Sequence, residues 1–172
     1  MDDPFASETL ALSIASITQN QHLVIVCVGT DRSTGDSLGP LIGTKLQESE
    51  LRNITVYGSL DEPVHALNLD QFVGLIKRKH SDSLILAIDA CLGKSESVGY
   101  ISLKKGPLKP GTGVNKSLPE IGDYHIIGIV NVGGLMEYFV LQNTRLSLVM
   151  RMSDVIVRGV MMSIQQMSIN RA

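Results

Sequence analysis

Three short apolar runs, separated by two stretches of helical periodicity, constrain this chain more than anything else in it. They are "LVIVCV" at Leu23–Val28, "ITVY" at Ile54–Tyr57 and "LILAI" at Leu84–Ile88. Runs this short, apolar on both alternating positions, are expected of strands buried on two faces. Between the first two, Ser37–Gln47 spaces Leu38, Leu41, Ile42 and Leu46 along one helical stripe. Between the second and third, Val64–Lys79 does the same with Leu67, Phe72, Leu75 and Ile76. Strand, helix, strand, helix, strand is the pattern of a mainly parallel sheet with crossover helices. Such sheets collect their functional groups beyond the carboxyl ends of the strands. The residues that follow Val28, Tyr57 and Ile88 are therefore expected on one rim.

The rest of the chain extends that plan. Pro4–Gln19 reads as a helix whose first turn accepts the proline. Val98–Leu103 reads as a strand nearer an edge. Gly106–Pro119, with three of the six prolines, reads as a loop. His125–Val132 is apolar and β-rich, and Gly133-Gly134 breaks it. Leu135–Gln142 is helical, and a last helix from about Arg145 to Ser168 carries five of the seven methionines. Such a stripe serves a core or an oligomer interface and would suit a homodimer.

Bulk properties exclude several classes. With 172 residues, 44% hydrophobic and 19% charged, the chain is expected to fold as a single domain. A formal charge of -2 and a pI near 6.1 argue against a nucleic-acid or membrane-surface binder. The basic cluster Lys77-Arg78-Lys79-His80 ends a predicted helix, where cations complement the helix dipole. Cys27 and Cys91 show neither disulfide nor zinc spacing and read as small buried filler. The amino terminus lacks the basic region of a secretory signal and no apolar run is long enough to span a bilayer, so a cytoplasmic location is expected.

The loop after the first strand, "GTDRSTGDSLGP", looks like a phosphate cradle and is not one. Gly29 and Gly35 are one residue too far apart for a P-loop, and Asp36 stands where its lysine belongs. A carboxylate there repels phosphate. Two alternatives follow. Asp36 is the chemical group of a site, delivered by a turn that Gly29, Thr30 and Gly35 shape, or Asp36 or Ser37 simply caps the next helix. Asp89 favours the first. It closes an apolar strand, where a carboxylate is costly unless paired, hydrogen-bonded or metal-bound. If the two strands are neighbours, Asp36 and Asp89 meet across the crevice. Such a pair can share a proton and activate water, or ligate a divalent metal. Other polar groups on the same rim are Asp61, Glu62 and His65 in "LDEPVHALNL", and Asp123, His125 and Asn131 in "GDYHIIGIVNVGG". Asp61 reads as ordinary helix-start chemistry. Glu62 and His65 read equally as that or as substrate contacts, and His125 as a core histidine or a metal ligand.

Taken together, "CVGTDRSTGDSLGPLIG", "LDEPVHALNL", "LILAIDACLG" and "GIVNVGGLMEY" resemble the sporulation protein family of the YyaC type, from about His22 to Arg158. The resemblance implies a phosphorylase/hydrolase-like α/β/α sandwich over residues 1–172, with residues 1–20 as a helix packing on it. It implies a relationship to the spore germination protease, an atypical aspartic peptidase, and by fold to hydrogenase maturation proteases. Asp36 in "GDSLGP" and Asp89 in "IDACLG" match the germination protease's two key aspartates. The implied activity is peptide hydrolysis in a sporulating cell or spore, on a protein or peptide substrate and without a cofactor. Gly29, Thr30, Gly35, Glu62 and His65 would line the substrate site. Maturation proteases imply an alternative, nickel or zinc held by Asp36, Asp89 and His125. Many of them begin the set with Glu, and Asp36 is one methylene shorter. A further alternative is a non-catalytic relative that keeps the pocket for a partner. The chain is much shorter than the germination protease, and no zymogen control carries over.

Overall fold

The computed structural model describes residues 1–19, 21–49, 51–110 and 118–169. Five strands, β1 (Leu23–Cys27), β2 (Ile54–Tyr57), β3 (Leu84–Gly93), β4 (Ile101–Lys105) and β5 (Tyr124–Val132), form one sheet in the order β2-β1-β3-β5-β4. The first four strands of that order run parallel, and β4 is antiparallel to β5. The helices are α1 (Ala6–Thr18), α2 (Leu38–Glu48), α3 (Leu69–Lys79), α4 (Glu137–Gln142) and α5 (Leu146–Ile169).

Alternation along the strands divides the core into two. Leu23, Ile25 and Cys27 of β1, with Leu86 and Ile88 of β3, pack against Leu38, Ile42 and Leu46 of α2 and Met152 and Ile156 of α5. Leu10 and Ile14 of α1 join the same cluster, and the Leu10 side chain packs on α5 at Gly159. On the opposite face Val24, Val26 and Ala87 pack against Leu69 and Ile76 of α3. Helices thus cover both faces in three layers, as expected, and every residue of β1 is buried. Each large side chain so enclosed contributes about 1.5–3 kcal/mol relative to exposure.

The order of the strands places the site. From β1 the chain passes through α2 to β2 on one side, then through α3 and back across β1 to β3 on the other. The β1/β3 boundary is therefore where the connections diverge, and the crevice beyond the carboxyl ends of those strands is left open.

Several boundaries differ from the periodicity. α3 begins at Leu69 rather than Val64. Val64 is held extended by a parallel bridge to Val28, and Asn68 closes the turn, accepting from His65 N–H at 2.8 Å and donating to Pro63 O at 2.9 Å. β3 runs to Gly93 instead of ending at Ile88, because β5 pairs with it over that whole length. β4 starts three residues later than expected, at Ile101. Within the expected loop Gly106–Pro119, Leu108 bridges to Ile121, and residues 111–117 lie outside the described residues.

Close approach of α2 to the sheet gives a test. A Cβ at Gly43 would stand 1.7 Å from Gly58 O. Gly43→Ala is expected to lose about 2–4 kcal/mol in urea denaturation, although helix propensity alone favours alanine by about 1 kcal/mol.

Candidate active site at the carboxyl ends of β1 and β3

β1 ends with Cys27 opposite Ile88, and Val28 N–H donates to Ile88 O at 2.7 Å. β3 continues through Asp89–Gly93 with no strand among the described residues beside it on that side. The one-turn helix Gly35–Ser37 packs there instead. It is brought back by a closed loop. Gly29 N–H donates to Val64 O at 2.8 Å, and Thr30 N–H donates to Asp36 O at 3.1 Å. Gly29 has φ 146°, and a Cβ on it would stand 2.1 Å from Asp36 O. No residue with a side chain fits that closure without moving the Asp36 backbone. On its other side the turn rests on α4, since a Cβ at Gly35 would meet Leu141 Cδ2 at 2.7 Å and Thr144 Oγ1 at 3.0 Å.

The capping alternative for this turn is not what forms. Asp36 lies inside the short helix, and α2 starts without a side-chain capping bond. Ser37 Oγ turns back to donate to Thr34 O at 2.7 Å. The Asp36 carboxyl is half-buried and is held above its ordinary pKa by loss of hydration. Ser33 offsets part of that rise. Its hydroxyl is buried beside the Asp36 carboxyl and favours the charged form. Sequence reasoning passed over Ser33, because a serine in a polar loop looks solvated; burial is the signal, and it is a tertiary property.

Asp89 sits within β3, opposite Ile127, rather than after the strand end. Its Oδ1 accepts from Ala90 N–H at 2.8 Å. Part of the residue still faces solvent, but the protein around the carboxyl is dense enough to push its pKa up to about 8. Burial is the main cause, the Ala90 N–H opposes it, and the charge of Asp36 adds to it. The charge of Asp36, 53 positions away in sequence, thus reaches Asp89. Neighbouring Cys91 has its thiol pushed up to about 11, first by burial and then by Asp89, which is not the state of a nucleophile.

The other candidates are placed differently. Glu62 is exposed, its N–H bonded to Ser59 Oγ, and Pro63 and Glu62 stand well before α3, so neither serves a helix start. His65 follows the Val64 bridge on the same rim, and its Nδ1 accepts from Leu67 N–H at 3.3 Å. Among the described residues neither Glu62 nor His65 bonds to either aspartate. Asp61 is exposed. Asp123 accepts from Ile85 N–H and Asn131 donates to Val140 O and Thr144 Oγ1, so both hold backbone and helix in place.

The expectation of a three-ligand metal set of Asp36, Asp89 and His125 is not met. His125 stands opposite Ala87, two residues before Asp89 and roughly 7 Å back along the strand. Its Nδ1 donates to Gly106 O at 2.8 Å. Among the described residues no three His, Cys, Asp or Glu side chains converge as ligands. The donor set at this rim is two carboxyls.

The architecture is an α/β/α sandwich, with Asp36 and Asp89 near the point where the strand order diverges. The chain belongs to the DUF1256 family, described as protein of unknown function, whose model matches residues 1–159. It is 53% identical over 152 residues to a Bacillus subtilis (strain 168) protein, described as uncharacterized protein YyaC, covering 88% of this chain and 74% of that one. Its fold is that of a [NiFe] hydrogenase maturation protease, HycI from Thermococcus kodakarensis KOD1, with a TM-score of 0.57 at 14% identity over 87% of this chain and 99% of the other. Among the described residues no helix is long and apolar enough to cross a membrane.

The raised pKa of Asp89 carries a stability consequence. The unfolded carboxyl ionises near pH 4 and the folded one near pH 8. Between these values the folded state holds a proton that the unfolded state has released, so stability falls as pH rises. Asp89→Asn removes that dependence. Its melting temperature is expected to match wild type near pH 4 and to exceed it near pH 8, a gain on the order of a few kcal/mol.

Proposed function

We propose that the protein is a peptidase acting on a protein or peptide substrate, with Asp36 and Asp89 sharing one proton. The observation that carries this reading is the pair itself: two carboxyls with raised pKa values, electrostatically coupled, at the open crevice of the sheet. Asp89 holds the shared proton near neutral pH and Asp36 is the carboxylate. Asp36 takes a proton from a water molecule whose oxygen bonds to the scissile carbonyl carbon. Asp89 gives its proton to the carbonyl oxygen. The tetrahedral intermediate collapses as the C–N bond breaks, Asp36 passes its proton to the departing amine, and Asp89 recovers one from the intermediate's hydroxyl. Ser33 Oγ, buried beside Asp36, donates to the water or to the carbonyl oxygen. Gly29, Thr30 and Gly35 hold the Asp36 turn, and Glu62 and His65 are available to the substrate from the rim of β2.

The maturation-protease fold supports this class of reaction by analogy. The relationship to the spore germination protease rests on the motifs "GDSLGP" and "IDACLG". The cytoplasm of a sporulating cell or spore, as the setting, rests on the family resemblance.

Hydrolysis of an unfolded protein substrate, such as reduced casein, measures the activity. Asp36→Asn and Asp89→Asn are each expected to lower kcat/KM by about 10²–10⁴-fold or more with folding retained. Ser33→Ala is expected to lower it by about tenfold, the weight of one neutral hydrogen bond. The rate should fall as pH rises through about 8, where the pair loses its shared proton. Equal rates for wild type and both asparagine variants would sink the proposal.

A further inference from the structure

Beside the aspartate pair the molecule leaves a large apolar face open. Leu135 is 93% exposed, Met136 67%, Tyr138 66%, Phe139 53% and Val132 41%. Most of these side chains line an open groove of about 560 Å³ between the end of β5 and α4, within the size range of ligand sites. The five together expose roughly 600 Å², taking about 200 Å² for a fully open large side chain. A face of that extent marks an interaction site. It falls short of the roughly 800 Å² per partner that a stable protein pair buries.

The groove is continuous with the candidate site. α4 supplies Phe139 and Val140 to the groove and Leu141 to the Asp36 turn. Gly133 of the groove donates its N–H to Gly93 O at the end of β3. From Asp89 to Leu92, which stands opposite Asn131 at the mouth of the groove, is three strand residues, about 10 Å. Beside that length the Asp36 turn packs against β3 and the Ala90 N–H is taken by Asp89 Oδ1, so the way to the groove runs past the end of the strand rather than along its edge.

Resting on the peptidase reading for the scissile bond, we propose that the occupant is an extended, apolar segment of the protein substrate. It runs from the aspartates past the end of β3 into the groove. It seats one large apolar side chain against Phe139 and Leu135, three or four residues from the bond at the aspartates. The groove selects the side chain and so sets which bond reaches the aspartates.

Binding tests this separately from hydrolysis. The probe is a fluorescein-labelled dodecapeptide with Leu and Phe on alternate positions of a Ser/Thr background; the control replaces Leu and Phe by Ser. Anisotropy with the Asp36→Asn protein is expected to show at least tenfold tighter binding of the apolar peptide. Phe139→Asp and the highly exposed Leu135→Asp should each remove most of that preference, with melting temperatures unchanged. If the peptidase reading fails but this one holds, no variant hydrolyses casein while the apolar peptide still binds through Phe139. Equal affinity for the two peptides, or no effect of either substitution, overturns the proposal. So does a homodimer in sedimentation that Phe139→Asp dissociates while the peptide does not bind, because the face is then covered by a second copy.

Discussion

The structure depends on a difference in length between two neighbouring strands. β1 ends at Cys27, level with Ile88, while β3 runs on to Gly93 because β5 continues to pair with it. The place beside the last residues of β3 is filled by the Asp36 turn. Gly29 makes that possible: its backbone lies against the Asp36 carbonyl, and a Cβ would stand 2.1 Å from it. The same vacancy puts one carboxyl inside a strand and another against it. Dense surroundings then act on both, and loss of hydration lifts Asp89 to about 8. Enclosure therefore raises the pKa of two groups that would each ionise near pH 4 in water.

This arrangement works against stability and for chemistry. A carboxyl raised by burial at Asp89, a buried hydroxyl at Ser33 and a broad apolar face beside α4 each carry a free-energy cost. Their concentration on one rim is the physical argument for a site. The opposite end of the sheet has no comparable accumulation among the described residues. There His22 bonds to Thr55 and stacks on His80, which bonds to Tyr57, so that polar groups satisfy one another.

Much of this was legible in the chain. Buried strands announce themselves through unbroken β-branched runs, and Leu23–Cys27, Ile54–Tyr57 and the first half of β3 follow that signal closely. Alternating helices imposed the parallel order, which put Asp36 and Asp89 on one rim. The errors share a cause. Val64–Asn68 carries helical spacing, but Val64 extends to pair with Val28 and Asn68 closes a turn, so the helix starts only at Leu69. His125 lies beside Ala87 because the β3–β5 register sets it there, and no pattern within either segment records a register between segments.

The sequence by itself determined the fold class and the identity of the two acids. Both follow from local regularities: hydrophobic period, glycine at the strand end, and a charged residue where an apolar run should continue. Tertiary structure alone decided what those acids are. Whether Asp36 caps a helix or faces another carboxyl depends on how far β1 reaches beside β3. Whether Ser33 is solvated depends on what packs over it, and whether Leu135 and Phe139 are covered depends on where α4 comes to rest. Each is a matter of distance between segments remote in the chain, and hydration and charge interaction respond to distance rather than to order along the sequence.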